Sequence, residues 1–111
     1  MSREAFIEHY EIHHRKIGEK YLSGFASKYQ RRYLQSAGFR EQEGDEPPFD
    51  VLMEIWYPDQ DALNRALAVL SADEAQAEIV ADEERLFDRD LIRSYTVEEY
   101  ESEMPAVETG T

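Results

Sequence analysis

The order of elements predicts an α+β fold in which helices cover one face of an antiparallel sheet. Three observations predict it. Residues 2–22 repeat aromatic and apolar side chains at helical spacing, two later stretches alternate with period two, and a pair of helical patterns precedes a last strand-like run. With 111 residues, 41% of them hydrophobic and 12% aromatic, the chain suffices for one core and is too short for two.

Ser2 is placed to cap a helix over residues 2–22, with Gly18 a weak interior point and Gly24 a good terminator. At about 100° per residue, Phe6, Tyr10, His13, Ile17 and Tyr21 share one stripe, with Ile7 and His14 on one border and His9 on the other. In residues 25–35, Phe25, Tyr29 and Tyr33 share one parity while Lys28, Gln30 and Arg32 share the other, the pattern of a strand with one wet face. Residues 38–48 are polar and rich in glycine and proline, which predicts a loop. Residues 49–57 form the strongest strand pattern, with Phe49, Val51, Met53, Ile55 and Tyr57 on one face and Leu52, Glu54 and Trp56 on the other. Pro58 ends it. Asp59 or Asp61 then caps a helix carrying Leu63, Ala66, Leu67 and Leu70, and residues 71–74 have the form of a capping box for a second helix whose inner face holds Ala75, Ile79, Asp82, Leu86 and Phe87. Residues 91–97 read as a closing strand. The expected organisation is one domain over residues 1–99 and an acidic flexible tail over residues 100–111.

A formal net charge of -13 repels phosphate backbones and anionic headgroups, so neither nucleic acid nor a membrane surface is an expected partner. The charge is uneven, with a net of +4 over residues 1–40 and -17 over residues 41–111, a weak hint of self-association. There is no cysteine for a disulfide or thiolate metal site, and no apolar run approaches the roughly 18 residues of a membrane span. No basic-then-apolar leader is seen at the N-terminus, so the cytoplasm is the expected location.

Three features carry possible chemistry. All three histidines lie at His9, His13 and His14, and imidazole exchanges protons near neutral pH. His9 and His13 also have the i, i+4 spacing of a helical metal pair, but the glutamate that follows the first histidine of a zincin helix is Tyr10 here. The alternative reading makes the histidines hydrogen-bonded or solvated fillers of a helix border, and helical phase makes His13 the innermost. Two carboxylates sit in apolar company: Asp82 between Ile79 and Leu86, and Glu54 within the strand pattern. Each is either a carboxylate that orients a histidine or a rim residue facing water or a partner. The third feature is aromatic density, which suits either a flat organic ligand or a core. Phosphate loops, nucleophile elbows and dinucleotide fingerprints are all lacking, so the expected chemistry is cofactor-free and metal-free.

One strand added before the first helix would give the split β-α-β-β-α-β pattern of ferredoxin-like domains. Residues 6–14, Phe-Ile-Glu-His-Tyr-Glu-Ile-His-His, and residues 81–88, Ala-Asp-Glu-Glu-Arg-Leu-Phe-Asp, resemble the EthD-like proteins of the dimeric α+β barrel superfamily. The resemblance rests on Phe6, His9, Tyr10 and His14, then on Asp82, Glu83 and Phe87, with residues 54–57 similar to the strand between them, and it spans most of residues 3–99. Lys16 stands where a proline is common, and the family's first strand is missing.

The resemblance implies a ferredoxin-like subunit that pairs sheet to sheet as a homodimer, with a small-molecule pocket between helices and sheet. It favours His14 where helical phase favours His13, and the expected catalytic residues are His14 as general acid/base, Asp82 as its orienter and His13, with His9 or His13 as a second polar contact. Phe6, His9, Tyr10, Tyr29, Glu54, Trp56 and Phe87 are the expected substrate contacts. The leading expectation is a small cofactor-independent enzyme performing isomerisation, cyclisation, dehydration or oxygenation on an aromatic, lactone or polyketide-like molecule. The alternative is a non-catalytic EthD-like auxiliary that binds a small organic ligand. Both faces of residues 49–57 are apolar, so the homodimer is expected to bury Leu52 and Trp56 or their opposite-face neighbours. The absent first strand suggests that a longer form of the chain exists. If it does not, residues 91–97 are expected to pair with residues 49–57 or to be completed by a partner subunit.

Overall fold

The computed structural model describes residues 1–36 and 49–108; the loop expected over residues 38–48 lies outside them. The first helical region is continuous but not uniform: α1, Arg3–His9, runs through a π turn, Tyr10–His14, into α2, Arg15–Leu22. The strands β1, Lys28–Tyr33, and β2, Val51–Trp56, pair antiparallel, and the helices α3, Gln60–Leu70, and α4, Asp73–Leu86, follow as a hairpin. A 3₁₀ turn, Arg89–Leu91, is the last regular element among the described residues. The architecture is α+β, consistent with a ferredoxin-like fold.

Local chemistry sets most of these boundaries. Ser2 Oγ accepts the Ala5 N–H at 3.1 Å, and Asp59 Oδ1 accepts that of Ala62 at 2.8 Å, so each helix start has an orphan donor satisfied. The first helix stops at Gly24, whose φ of 87° is the left-handed conformation that releases the chain into β1. The register pairs Tyr29 with Ile55 and Tyr33 with Val51 on the helix side, and Lys28 with Trp56 and Gln30 with Glu54 on the outer side. A core of Phe6, Tyr10, Leu22, Ala66 and Ala75 fills the space between helices and sheet. Ala66 and Ala75 are small enough to let α3 and α4 approach the first helix closely.

Gly18 has a packing reason rather than a conformational one. A Cβ there would lie 2.7 Å from the Tyr29 hydroxyl oxygen and within 2.9 Å of its ring, so only glycine admits Tyr29 against α2.

Three expectations are corrected. The capping box of residues 71–74 does not form: Ser71 ends α3, Ala72 precedes α4 without a side-chain cap, and Gln76 Nε2 instead donates to the Leu70 carbonyl at 2.6 Å. Residues 91–97 do not pair with β2, and the sheet among the described residues has two strands. A strand needs a neighbour to satisfy its backbone, and the backbone bonds of this segment are those of its own turn, from Leu91 N–H to Asp88 and from Ile92 N–H to Arg89. Helical phase also misplaces the histidines, since His13 is exposed and His14 buried. The cause is the π turn: its wider winding advances each residue through a smaller angle than an α-helix does, which keeps His14 near the azimuth of Tyr10 and swings His13 outward.

Candidate functional site

Asp82 is a buried carboxylate on the inner face of α4, 7% exposed, and it grips the first helix at two points. His9 Nε2–H donates to Oδ1 at 2.9 Å, and His14 Nδ1–H donates to Oδ2 at 2.8 Å. The two histidines are five residues apart, and the π turn brings both to one carboxylate. Burial pushes the Asp82 carboxyl up, but the hydrogen bonds from His9 and His14 outweigh it and hold the group below its ordinary value. An ionised carboxylate accepts only, so both nitrogens facing it carry their protons. In the neutral imidazoles this leaves Nε2 of His14 and Nδ1 of His9 as the basic atoms.

The walls of the site are aromatic. The His14 ring meets Tyr10 edge-on with centroids 4.9 Å apart and Phe87 at 5.9 Å, and Phe87 in turn meets Phe6 at 5.8 Å. Tyr10 is 1% exposed, and its hydroxyl donates to Met53 Sδ at 3.3 Å, which anchors the π turn to β2. Burial raises its pKa far above the ordinary phenol value, so it stays protonated. Tyr29 is seated against Gly18 of α2. His9, 21% exposed at its side chain, is the member of the site that reaches solvent. Its ring lies 4.9 Å from that of His13, and the two border a shallow depression of about 180 Å³ with Ala5, Glu8 and Ile12.

The structure therefore brings together His9, His14, Asp82, Tyr10, Phe6 and Phe87, and places His13 beside His9 at the rim. It does not bring Glu54 or Trp56 to them. Both lie on the outer sheet face, where Glu54 Oε2 accepts from Trp56 Nε1 and from Arg32 Nη2, each at 3.3 Å, and Lys28 Nζ sits 4.4 Å from the Trp56 ring centroid. The reason is parity: even-numbered residues of β2 point away from the helices.

A second polar cluster escaped the sequence reading. Arg31 holds Glu11 with two hydrogen bonds of 2.9 and 2.8 Å, and Tyr33 donates to the same carboxylate, so the π turn is tied to β1 as well. The bonds from Arg31, then that from Tyr33, hold Glu11 down to about 2 against the opposing effect of burial. The signal was available in the pattern of β1, where Arg31 shares the parity of Tyr29 and Tyr33 and a cation on that face requires a partner.

One carboxylate thus holds two imidazoles, His14 buried and His9 21% exposed at its side chain, on an α+β frame. The family model of the EthD domain matches residues 1–90, and the chain belongs to the EthD domain family, whose fold is the dimeric α+β barrel. No curated protein and no solved structure matches the chain. Among the described residues no helix is long and apolar enough to cross a membrane.

Proposed function

We propose that the chain is a cofactor-independent acid/base enzyme acting on an aromatic, lactone or polyketide-like small molecule. The observation that carries this reading is the bidentate use of Asp82 by His9 and His14. Asp82 orients both rings and stabilises whichever imidazolium forms, and the free nitrogen of each ring is left to take or give a proton. His14 is the general acid/base in this reading, His9 the second polar contact near solvent, and Phe6, Tyr10 and Phe87 the apolar surroundings. Isomerisation, cyclisation and dehydration all need a proton removed at one atom and returned at another, which two imidazoles on one carboxylate suit. The active unit in this reading is a homodimer of ferredoxin-like subunits joined through the outer sheet faces, on which Leu52 is 49% and Trp56 39% exposed.

The alternative is a ligand-binding auxiliary without turnover, which uses the same cluster; the rings of Phe6, Tyr10, Tyr33 and Phe87 pack edge-on on one another beside it. Native mass spectrometry of gently purified protein, followed by incubation with whatever organic molecule co-purifies, separates the two. Conversion by the wild type that His14→Asn abolishes supports the enzyme. Binding without conversion at any pH between 5 and 9 supports the auxiliary.

A further inference from the structure

The shared carboxylate depends on an unusual winding. His9 and His14 are five residues apart, and on an α-helix, at about 100° per residue, they would diverge by about 140° around the axis. In the π turn the bonding runs across five residues, as from the Arg15 N–H to the Tyr10 carbonyl, and residues at that separation come to nearly one azimuth. That winding lets both imidazoles reach Asp82.

Such winding is uncommon, so contacts outside the helix are needed to hold it. The contact of His14 with Asp82 is the one to be explained. That of Tyr10 with Met53 ends on a thioether, a weak acceptor. The strong tie is ionic: Arg31 Nε and Nη2 each donate to one Glu11 oxygen, at 2.9 and 2.8 Å, and Tyr33 donates to the same carboxylate. Two parallel bonds from one guanidinium fix direction as well as distance.

Arg31 is itself fixed. Its side chain is 15% exposed, its guanidinium carbon lies 4.9 Å from the centroid of the Tyr29 ring, and Nη1 donates to the Tyr29 carbonyl at 3.3 Å. Tyr29 sits against Gly18 of α2, and Tyr33 meets Phe6 of α1 with ring centroids 6.3 Å apart. Alternate residues of β1, spaced by about 6–7 Å, thus touch α2, the π turn and α1 in order. An extended strand has little freedom to alter that spacing, so β1 lies along the helix as a ruler with Arg31 as its middle mark.

We infer that Arg31, acting through Glu11, is a positioning residue for the site: it holds the π turn in the winding that brings His14 to the carboxylate His9 also uses. This role rests on the acid/base reading above, in which His14 moves the proton and Arg31 touches no substrate.

The test reads the histidine tautomers of the folded protein by ¹⁵N–¹H NMR at mildly alkaline pH, where imidazole is neutral, and uses no turnover. The wild type is expected to show His14 as the Nδ1–H form and His9 as the Nε2–H form. Arg31→Met keeps an apolar stem and removes the guanidinium. It is expected to replace the single His14 form by the exchanging mixture of an unheld imidazole, while His9, on α1, keeps its signature. Arg31→Lys keeps the charge without the fork and is expected to restore part of the His14 signal. Arg32→Met removes an equal charge from the outer sheet face and is expected to leave both histidines unchanged. A folded Arg31→Met protein with the wild-type His14 signature overturns the inference, as does an equal loss in Arg32→Met. Should Arg31→Met not fold, Glu11→Gln, which leaves Arg31 one acceptor oxygen, carries the same comparison. Failure of the acid/base reading shows separately, as a co-purified molecule that the wild type binds and never converts.

Discussion

At the residue scale the site depends on how few groups share the Asp82 carboxylate. Removing His14 leaves Oδ2 buried and unpaired, so His14→Ala is expected to cost about 1–3 kcal/mol in chemical denaturation, more than a histidine at a helix border would. His14→Asn keeps an N–H near the position of Nδ1 but exchanges no proton. It is expected to recover most of that stability and none of the acid/base function, a split that a purely structural histidine would not produce. Glu11 supplies a pH prediction. Its folded pKa, about 2, lies below the ordinary 4.5, so its contribution is present above about pH 4.5 and is lost as pH falls toward 2. Urea melts between those values are expected to show falling stability in the wild type and a flatter profile in Glu11→Gln. Asp82, also lowered, adds to the same acid-side loss in both proteins. Asp82 was legible as a carboxylate on an apolar helix face. His14 was legible only from the family spacing, because periodicity assumes a uniform α-helix and the π turn breaks that assumption.

At the scale of elements, the strands and most helix limits could be read because each has a local cause: alternation for β1 and β2, Ser2 and Asp59 for two helix starts, Gly24 for a helix end. What could not be read depends on distant neighbours. The closing strand has the right composition and no partner among the described residues, and the capping box lost to a Gln76 side chain reaching a carbonyl six residues back. Gly18 allows a sharp test of such packing. Alanine ordinarily stabilises a helix interior by about 1 kcal/mol over glycine, but here the new methyl meets the Tyr29 ring. Gly18→Ala is therefore expected to destabilise the wild type and to stabilise the Tyr29→Ala background by about 1 kcal/mol, a sign reversal that a double-mutant cycle in urea reads directly.

At the scale of the molecule, the fold places the His9–Asp82–His14 cluster on the helix layer and Leu52 and Trp56 on the outer sheet face. Under the proposed function, that division makes association and catalysis separable. Trp56→Asp, on the outer face and away from the histidines, is expected to shift light-scattering mass from dimer toward monomer at micromolar concentration while leaving the His9 and His14 proton resonances in place. The α+β class and the family were legible in the sequence, since both rest on element order and on short motifs within one chain. A contact between two chains is not legible there, because no periodicity within a chain specifies its partner.

The π turn has one more consequence, in the domain of motion. It is wound more loosely than α1 and α2, and it is fastened at three separate places: to β2 through Tyr10, to β1 through Glu11 and to α4 through His14. A local opening of this turn is expected to release the hydrogen bond of His14, which lies in it, and to loosen the end of α1 that carries His9. Amide exchange of residues 10–14 then measures how often His14 comes free of the carboxylate. A substitution that slows that exchange without touching a histidine slows the site's access to its unclamped state.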